Sequence, residues 1–337
     1  MLKKAVLHLV IGLSISVLLL SACSSGTVDE ANVEKVEAKE ITTEVKEHQG
    51  LNQEPTPIEI ERDGKDVYVK MTTQITDIEI ESGNIYKAWT FNGEAPGPLI
   101  VVEEGDILHF ELENIDPAIP HSIDLHAVHT NPAVGFKDVE PNDKGTFTYP
   151  TSSPGVFMYH CATEPVLSHI ANGMHGVIIV MPKDGYPTDD EVDREFVIIQ
   201  NEWYQHNDLQ HMMNGEPSQV VFSAKALHDG QVNTNGTTTA LKDNPLEAKV
   251  GEKIRIYINN VGPNEVSSFH VIGTIMEDGY MDGNPANHYK GMQTVMLPAS
   301  GGAVVEFTVK ELGIYPFVTH QFNHATKGAE GHIVVTE

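Results

Sequence analysis

From about residue 56 onward, apolar residues occur at alternate positions in short runs that are separated by Gly, Pro, Asn and Asp. The run that contains Leu108, Phe110 and Leu112 is typical, with polar residues at the positions between them. Because successive side chains of a strand point to opposite faces, this pattern predicts strands with one apolar face. Little of this region shows the helical repeat of about 3.6 residues. We therefore predict an all-β fold built of sandwiches.

The alternating pattern also repeats along the chain. Residues 105–114 align without gaps to residues 251–260, and each copy runs from a glycine through an alternating strand to Asn. Each half then closes with a glycine-led aromatic strand, a histidine and a final apolar strand. We therefore expect two tandem Greek-key β-sandwich domains, at residues 56–183 and 184–337.

The first residues are typical of an export signal. Lys3 and Lys4 precede an apolar run from Ala5 to Leu20, which is shorter than the ~20 residues that span a bilayer. The sequence Leu-Ser-Ala-Cys that ends at Cys23 resembles the lipobox of bacterial lipoproteins, which implies cleavage before Cys23 and lipid attachment to its sulfur. An ordinary cleaved signal is the alternative. We expect residues 1–22 to be a lipoprotein signal peptide and the protein to be extracytoplasmic, lipid-anchored to the outer face of the cytoplasmic membrane.

Residues 23–55 have a different composition from the rest of the chain. They are rich in Glu, Lys, Val and Thr and contain no aromatic residue, so they cannot bury enough apolar surface to fold alone. We interpret them as a disordered acidic tether. The formal net charge of the whole chain is −27, which argues against nucleic acid as a partner and favours a basic or locally basic one. Simple solubility explains the acidity equally well.

The two cysteines provide the first chemical signal. If Cys23 carries lipid, Cys161 has no disulfide partner, and a metal bond would protect a lone exported thiol from oxidation. Cys161 is followed by His169 and then by Met174, and His121 lies upstream. Two imidazoles, a thiolate and a weak thioether are the ligands of a blue-copper site.

A second group of candidate ligands follows from strand parity. His160 and Cys161 are adjacent, so in a strand they face opposite ways. If the segment at 121–126 is also extended, Asp124 and His126 lie on one face of it and His121 lies on the opposite face. Pairing the two segments puts His121 with Cys161, and it puts Asp124 and His126 with His160. Two metal sites would then lie ~10 Å apart, and the second would need another histidine.

These motifs resemble those of copper-containing nitrite reductases, and the resemblance covers about residues 91–335. It is carried by short segments: Phe-Asn-Gly-Glu-Ala-Pro-Gly-Pro at 91–98, His-Ser-Ile-Asp-Leu-His at 121–126, Tyr-His-Cys-Ala at 159–162, Phe-His-Val-Ile-Gly at 269–273, His320, and Gly-His at 331–332. The resemblance implies two cupredoxin-like domains in each subunit of a homotrimer. One departure is the loop between Cys161 and His169, which is one residue shorter than in the better-known members.

The resemblance also implies two copper ions per subunit. The implied type 1 ligands are His121, Cys161, His169 and Met174. The implied type 2 ligands are His126, His160 and His320, the last from a neighbouring subunit. Asp124 and His270 correspond to the proton-delivering pair, and Ile272 to the apolar residue over the substrate. His324 is an alternative to His320, which we favour because it directly follows an aromatic strand.

The implied activity is dissimilatory reduction of nitrite by one electron to nitric oxide and water, with the electron passing from type 1 to type 2 copper. A cytochrome c or a small cupredoxin would serve as the external electron donor. Two other classes compete with this interpretation. A multicopper oxidase needs several His-x-His pairs, and the sequence contains none. A copper carrier needs only the type 1 ligands, which leaves the second group without a purpose.

Overall fold

The computed structural model describes residue 56 and residues 58–204, 208–227 and 240–337. The predicted signal peptide, the lipidation site Cys23 and the acidic tether lie outside the described residues. Strands dominate the described segments, and the prediction of an all-β fold is confirmed. None of the helices in these segments has the length and apolar character needed to cross a bilayer.

The described chain before residue 182 forms two sheets. The first has the order β1-β2-β5-β7 with β3 paired to β2, and the second has the order β4-β9-β8-β6. The strands are β1 (Glu59–Asp63), β2 (Asp66–Glu81), β3 (Asn84–Phe91), β4 (Ile100–Glu103), β5 (Ile107–Asn114), β6 (Asp124–Leu125), β7 (Lys144–Pro150), β8 (Gly155–His160) and β9 (His175–Met181). Two short helices accompany them, α1 (Pro132–Gly135) and α2 (Val166–Ala171).

The core of this half lies between the two sheets. Leu108, Phe110 and Leu112 of β5 are buried, and the positions between them are more exposed, as the alternating pattern predicts. They belong to the same apolar cluster as Ile178 and Val180 of β9. This cluster also contains Cys161 and Met174, so the thiol lies in a dry core.

The chain after residue 193 forms two further sheets, with the orders β11-β10-β13-β18-β15-β16 and β12-β20-β19-β14-β17. The strands are β10 (Arg194–Trp203), β11 (Gln219–Lys225), β12 (Leu246–Lys249), β13 (Lys253–Asn260), β14 (Ser267–Val271), β15 (Met276–Met281), β16 (His288–Met292), β17 (Val295–Leu297), β18 (Gly302–Thr308), β19 (Gly313–Thr319) and β20 (Glu330–Thr336). Helices α3 (Leu209–Asn214) and α4 (Phe322–Ala325) lie between strands, and a 3-10 turn at Asp189–Glu191 precedes β10.

The repeated sequence pattern has a structural counterpart. β5 pairs parallel to β2 and antiparallel to β7, and β13 pairs parallel to β10 and antiparallel to β18. A third apolar cluster joins the halves, with Val156 and Met158 of β8 packed among Val197, Tyr257 and Val304. β8 is therefore supported from both sides, and this is the strand that ends at His160.

The segment from His121 to His126 is only partly a strand. Asp124 and Leu125 pair with β8, and the His126 N–H donates to the Met158 carbonyl of β8 at 3.1 Å. The chain turns directly afterwards, where the Val128 N–H donates to the Leu125 carbonyl at 3.1 Å. His121 instead forms an isolated bridge with Val139. His121 still lies with Cys161, and Asp124 and His126 lie with His160, as the parity argument predicts.

Candidate metal centres

Three of the predicted type 1 residues converge in the core. We call His121, Cys161 and His169 the thiolate cluster. The Cys161 Sγ lies 3.2 Å from His169 Nδ1 and 3.9 Å from His121 Nδ1, and the two Nδ1 atoms lie 3.3 Å apart. All three residues are buried. One thiol and two ring nitrogens around a common point match the ligand types of a blue-copper site.

The backbone between β8 and β9 presents this cluster. Cys161 follows the last residue of β8, and its N–H donates to the Met174 carbonyl at 3.1 Å. His169 is carried by α2, and its carbonyl accepts from the Met174 N–H at 3.1 Å. These bonds fold the loop back on itself, so Met174 is fully buried in the same apolar cluster as Cys161.

The surroundings of the thiol favour its ionised form. Burial alone would raise the pKa of Cys161, but the adjacent His121 and His169 hold this pKa well below its ordinary value. The Ser122 N–H also points at the sulfur, at 3.4 Å. A thiolate is the form that binds metal, so the cluster suits a soft cation.

Two residues beside the cluster are not singled out by the sequence. Asp116 is buried, and its Oδ2 lies 3.2 Å from His121 Nε2. Burial tends to raise the pKa of Asp116, but the hydrogen bonds from His121 and the backbone lower it below its ordinary value. The Trp89 ring lies edge-on to His169 and His121, with centroid distances of 4.9 and 6.3 Å. The only sequence signal for Asp116 is an acid five residues before His121.

A second group lies on the other side of the same strand end. We call Asp124, His126 and His160 the imidazole cluster. His126 Nε2 and His160 Nε2 are 3.1 Å apart, and Asp124 Oδ2 is 3.8 Å from His160 Nε2. Asp124 pairs directly opposite His160 across β6 and β8. This cluster is more accessible than the thiolate cluster, because Asp124 is half-buried and His126 is exposed.

The hydrogen bonding of His160 also suits metal binding. The His160 Nδ1–H donates to the Cys161 carbonyl at 2.9 Å, which leaves the Nε2 lone pair of His160 facing His126. Desolvation and the adjacent His160 lower the pKa of His126, which favours the neutral form of its ring. Two imidazoles and a carboxylate can bind a transition metal but leave its coordination incomplete.

The remaining predicted residues lie elsewhere. His270 and His320 lie together on β14 and directly after β19, with ring centroids 5.6 Å apart, and His270 Nδ1 lies 2.5 Å from the Gln293 carbonyl. Among the described residues, neither belongs to the imidazole cluster. Ile272 follows β14 and is 43% exposed. The alternative ligand His324 is buried, with Nε2 3.5 Å from Glu265 Oε2.

Proteins of known function are similar to this chain. The family model described as multicopper oxidase matches residues 55–185. A copper-containing nitrite reductase of Neisseria meningitidis serogroup B is 39% identical over 284 residues, which cover 80% of this chain and 68% of that protein. One from Neorhizobium galegae is 30% identical and covers 82% of this chain and 77% of that protein.

Solved structures give the same result. A copper nitrite reductase from Nitrosomonas europaea superimposes with a TM-score of 0.73 at 37% identity, over 81% of this chain and 94% of that one. A copper-containing nitrite reductase from Thermus scotoductus has a TM-score of 0.72 at 34% identity, over 80% of this chain and 61% of that one. A structure described as a multicopper oxidase has a TM-score of 0.68 at 25% identity, over 84% of this chain and 94% of that one.

The paired sandwiches and the buried thiolate cluster define a copper protein of the cupredoxin class. Within that class, the chain belongs to the copper-containing nitrite reductase family.

Proposed function

We propose that this protein is a dissimilatory nitrite reductase, which converts nitrite, one electron and two protons into nitric oxide and water. The observation that carries the proposal is the junction at the end of β8. Cys161 belongs to the thiolate cluster, and the adjacent His160 belongs to the imidazole cluster. One peptide unit therefore connects a buried site of the electron-transfer type to an accessible site whose metal coordination is incomplete.

The donor sets support two copper ions per subunit. His121, Cys161, His169 and Met174 would hold type 1 copper, and His126, His160 and His320 would hold type 2 copper. When bound, the first copper supplies an electron-accepting centre, and the second supplies a Lewis acid for a nitrite oxygen. An external donor, either a cytochrome c or a small cupredoxin, would provide the electron.

Residues of the protein would supply the two protons that the reaction consumes. Asp124 is half-buried beside His160, where its carboxyl group can hydrogen-bond an anion and donate a proton to it. His270 would supply the second proton, because a positioned histidine side chain can act as a general acid. The Gln293 carbonyl fixes the orientation of its ring. Ile272 would form the apolar wall over the substrate.

The separation of His320 from the imidazole cluster supports a homotrimer in which His320 acts across a subunit boundary. His320 is exposed, and its ring lies 4.9 Å from that of Phe322, which is 56% exposed. Met296, which is 54% exposed, lies beside Ser268 on the same sheet as His270. Exposed apolar side chains that lie together are typical of a contact between proteins.

The whole chain would consist of a signal peptide, a tether and two domains. Residues 56–183 and 184–337 would be the two cupredoxin domains, preceded by a signal peptide at 1–22 and a tether at 23–55. A lipid on Cys23 would anchor the protein to the outer face of the cytoplasmic membrane. No nucleic-acid partner is expected.

Anaerobic turnover tests the proposed activity. The purified, copper-loaded protein would be given nitrite and a chemical reductant while nitric oxide and ammonia are measured and EPR spectroscopy counts the copper types. We expect nitric oxide as the product and two kinds of copper. Ammonia as the main product would contradict the one-electron reaction, and a copper content of one per chain would indicate a carrier.

A further inference from the structure

The thiolate cluster has a buried carboxylate behind one of its imidazoles. Asp116 and His121 are each 1% exposed, and the Asp116 Oδ2 lies 3.2 Å from His121 Nε2. The other oxygen, Oδ1, accepts the backbone N–H groups of Ala118 at 2.8 Å and Ile119 at 3.4 Å. The backbone thus holds the carboxylate in place, with one oxygen directed at the ring.

We propose that Asp116 is a positioning residue for the first copper centre, which fixes the tautomer of His121 and stabilises the oxidised state of the metal. This inference rests on the proposed function. An Nε2–H donated to Asp116 leaves the Nδ1 lone pair of His121 facing the Cys161 sulfur, where a metal would bind. A fixed negative charge in a buried site favours the more highly charged cupric ion over the cuprous ion.

The two clusters differ in the group that accepts a hydrogen bond from a ligand ring. The His160 ring in the imidazole cluster is oriented by the Cys161 carbonyl, which carries no net charge. Within the described part of the chain, no carboxylate lies within ion-pair distance of His169. The negative charge therefore acts on the first centre through His121. Stabilising the cupric state there lowers its reduction potential, so the electron passes more readily to the second centre.

Asp116→Asn removes the charge and keeps the size of the side chain, and its amide oxygen can still accept one of the hydrogen bonds that the two carboxylate oxygens accept. We expect this variant, loaded with copper, to keep the visible thiolate–copper absorption band. We expect its cupric-to-cuprous ratio at a fixed potential to fall at least tenfold, which corresponds to a rise of 59 mV in the potential. Redox titration of the visible band measures this shift.

Asp66→Asn is the matched control. Asp66 Oδ1, on β2, lies 2.7 Å from His109 Nε2, on β5, and neither residue belongs to the thiolate cluster or the imidazole cluster. We expect Asp66→Asn to leave the reduction potential of the first copper centre unchanged. Equal potentials for Asp116→Asn and the unaltered protein would overturn the inference, whereas a missing visible band in the unaltered protein would overturn the proposed function itself.

NMR spectroscopy of the unaltered cuprous protein provides a test that needs no folded variant. The Hε2 proton of His121 should exchange with solvent at least tenfold more slowly than the Hε2 proton of His169. The His121 proton should also resonate downfield of the His169 proton. Equal exchange rates for the two protons would overturn the inference even if Asp116→Asn fails to fold.

Discussion

The thiolate cluster and the imidazole cluster are built from neighbouring residues but differ in completeness. The thiolate cluster draws its residues from one sandwich and is buried with an apolar core around it. The imidazole cluster has two imidazoles and a half-buried carboxylate, and its expected third histidine lies with His270 elsewhere on the chain. A site that only transfers electrons can be closed within one domain. A site that must admit a substrate and protons needs an open position, and in the proposed homotrimer a neighbouring subunit supplies its third histidine.

The largest expected effect comes from removing the thiolate. Cys161→Ser replaces an ionisable sulfur with a hydroxyl that stays protonated, so the first copper and its visible band should be lost. We expect donor-driven turnover to fall by more than about 100-fold, beyond the 10- to 100-fold cost of losing a hydrogen-bond partner of a ligand. Metal analysis should show one copper per chain. Retention of the visible band would contradict the assignment of the thiolate cluster.

The next prediction separates His320 from His324. His320→Ala should remove the second copper and most turnover while the visible band of the first copper remains. His324→Ala is the matched control, because His324 is buried beside Glu265 and should affect stability rather than copper content. Copper analysis and EPR spectroscopy of both variants check this. Loss of the second copper from the His324 variant alone would reverse the assignment.

Asp124→Asn tests the proton chemistry of the imidazole cluster. An amide cannot give up a proton as a carboxylic acid does, so turnover should fall by about 10²- to 10⁴-fold. Both copper ions should remain, since neither is expected to depend on Asp124. Asp143→Asn, at an exposed carboxylate in the same half, should leave turnover unchanged. If the Asp124 variant retained full turnover at neutral pH, another group would have to be the proton donor.

The last prediction concerns the stability of the folded protein, which copper removal should lower. A ligand that binds only the folded protein stabilises it by about 4 kcal/mol when its free concentration is 1,000 times its Kd. We therefore expect the copper-free protein to unfold at a lower temperature in calorimetry. Cys161→Ser should gain less from added copper than the unaltered protein does. Identical unfolding temperatures with and without copper would show that no preformed site binds it.

Much of this arrangement can be predicted from the sequence. The alternation at Leu108, Phe110 and Leu112 predicts both the strand and its buried face, because the period of a strand is a local property. The spacing from Cys161 to His169 identifies the thiolate cluster for a similar reason, since both residues belong to one loop that folds back on itself.

Other features depend on contacts that no local pattern encodes. Asp116 lies in a turn, where an aspartate is ordinarily solvated, and its burial against His121 follows from tertiary packing. Trp89 reaches the cluster from β3, far away in the sequence. In the proposed homotrimer, the position of His320 relative to the imidazole cluster depends on assembly, which a single chain does not contain. Sequence patterns therefore predict the ligand types better than they predict the surroundings that tune them.

EPR spectroscopy of the fully copper-loaded protein, with nitrite added during the measurement, would distinguish the roles of the two clusters. We expect two cupric species in equal amounts, of which only the one without the thiolate ligand changes its spectrum when nitrite binds. A single cupric species, or a nitrite response confined to the thiolate-bound copper, would contradict these roles.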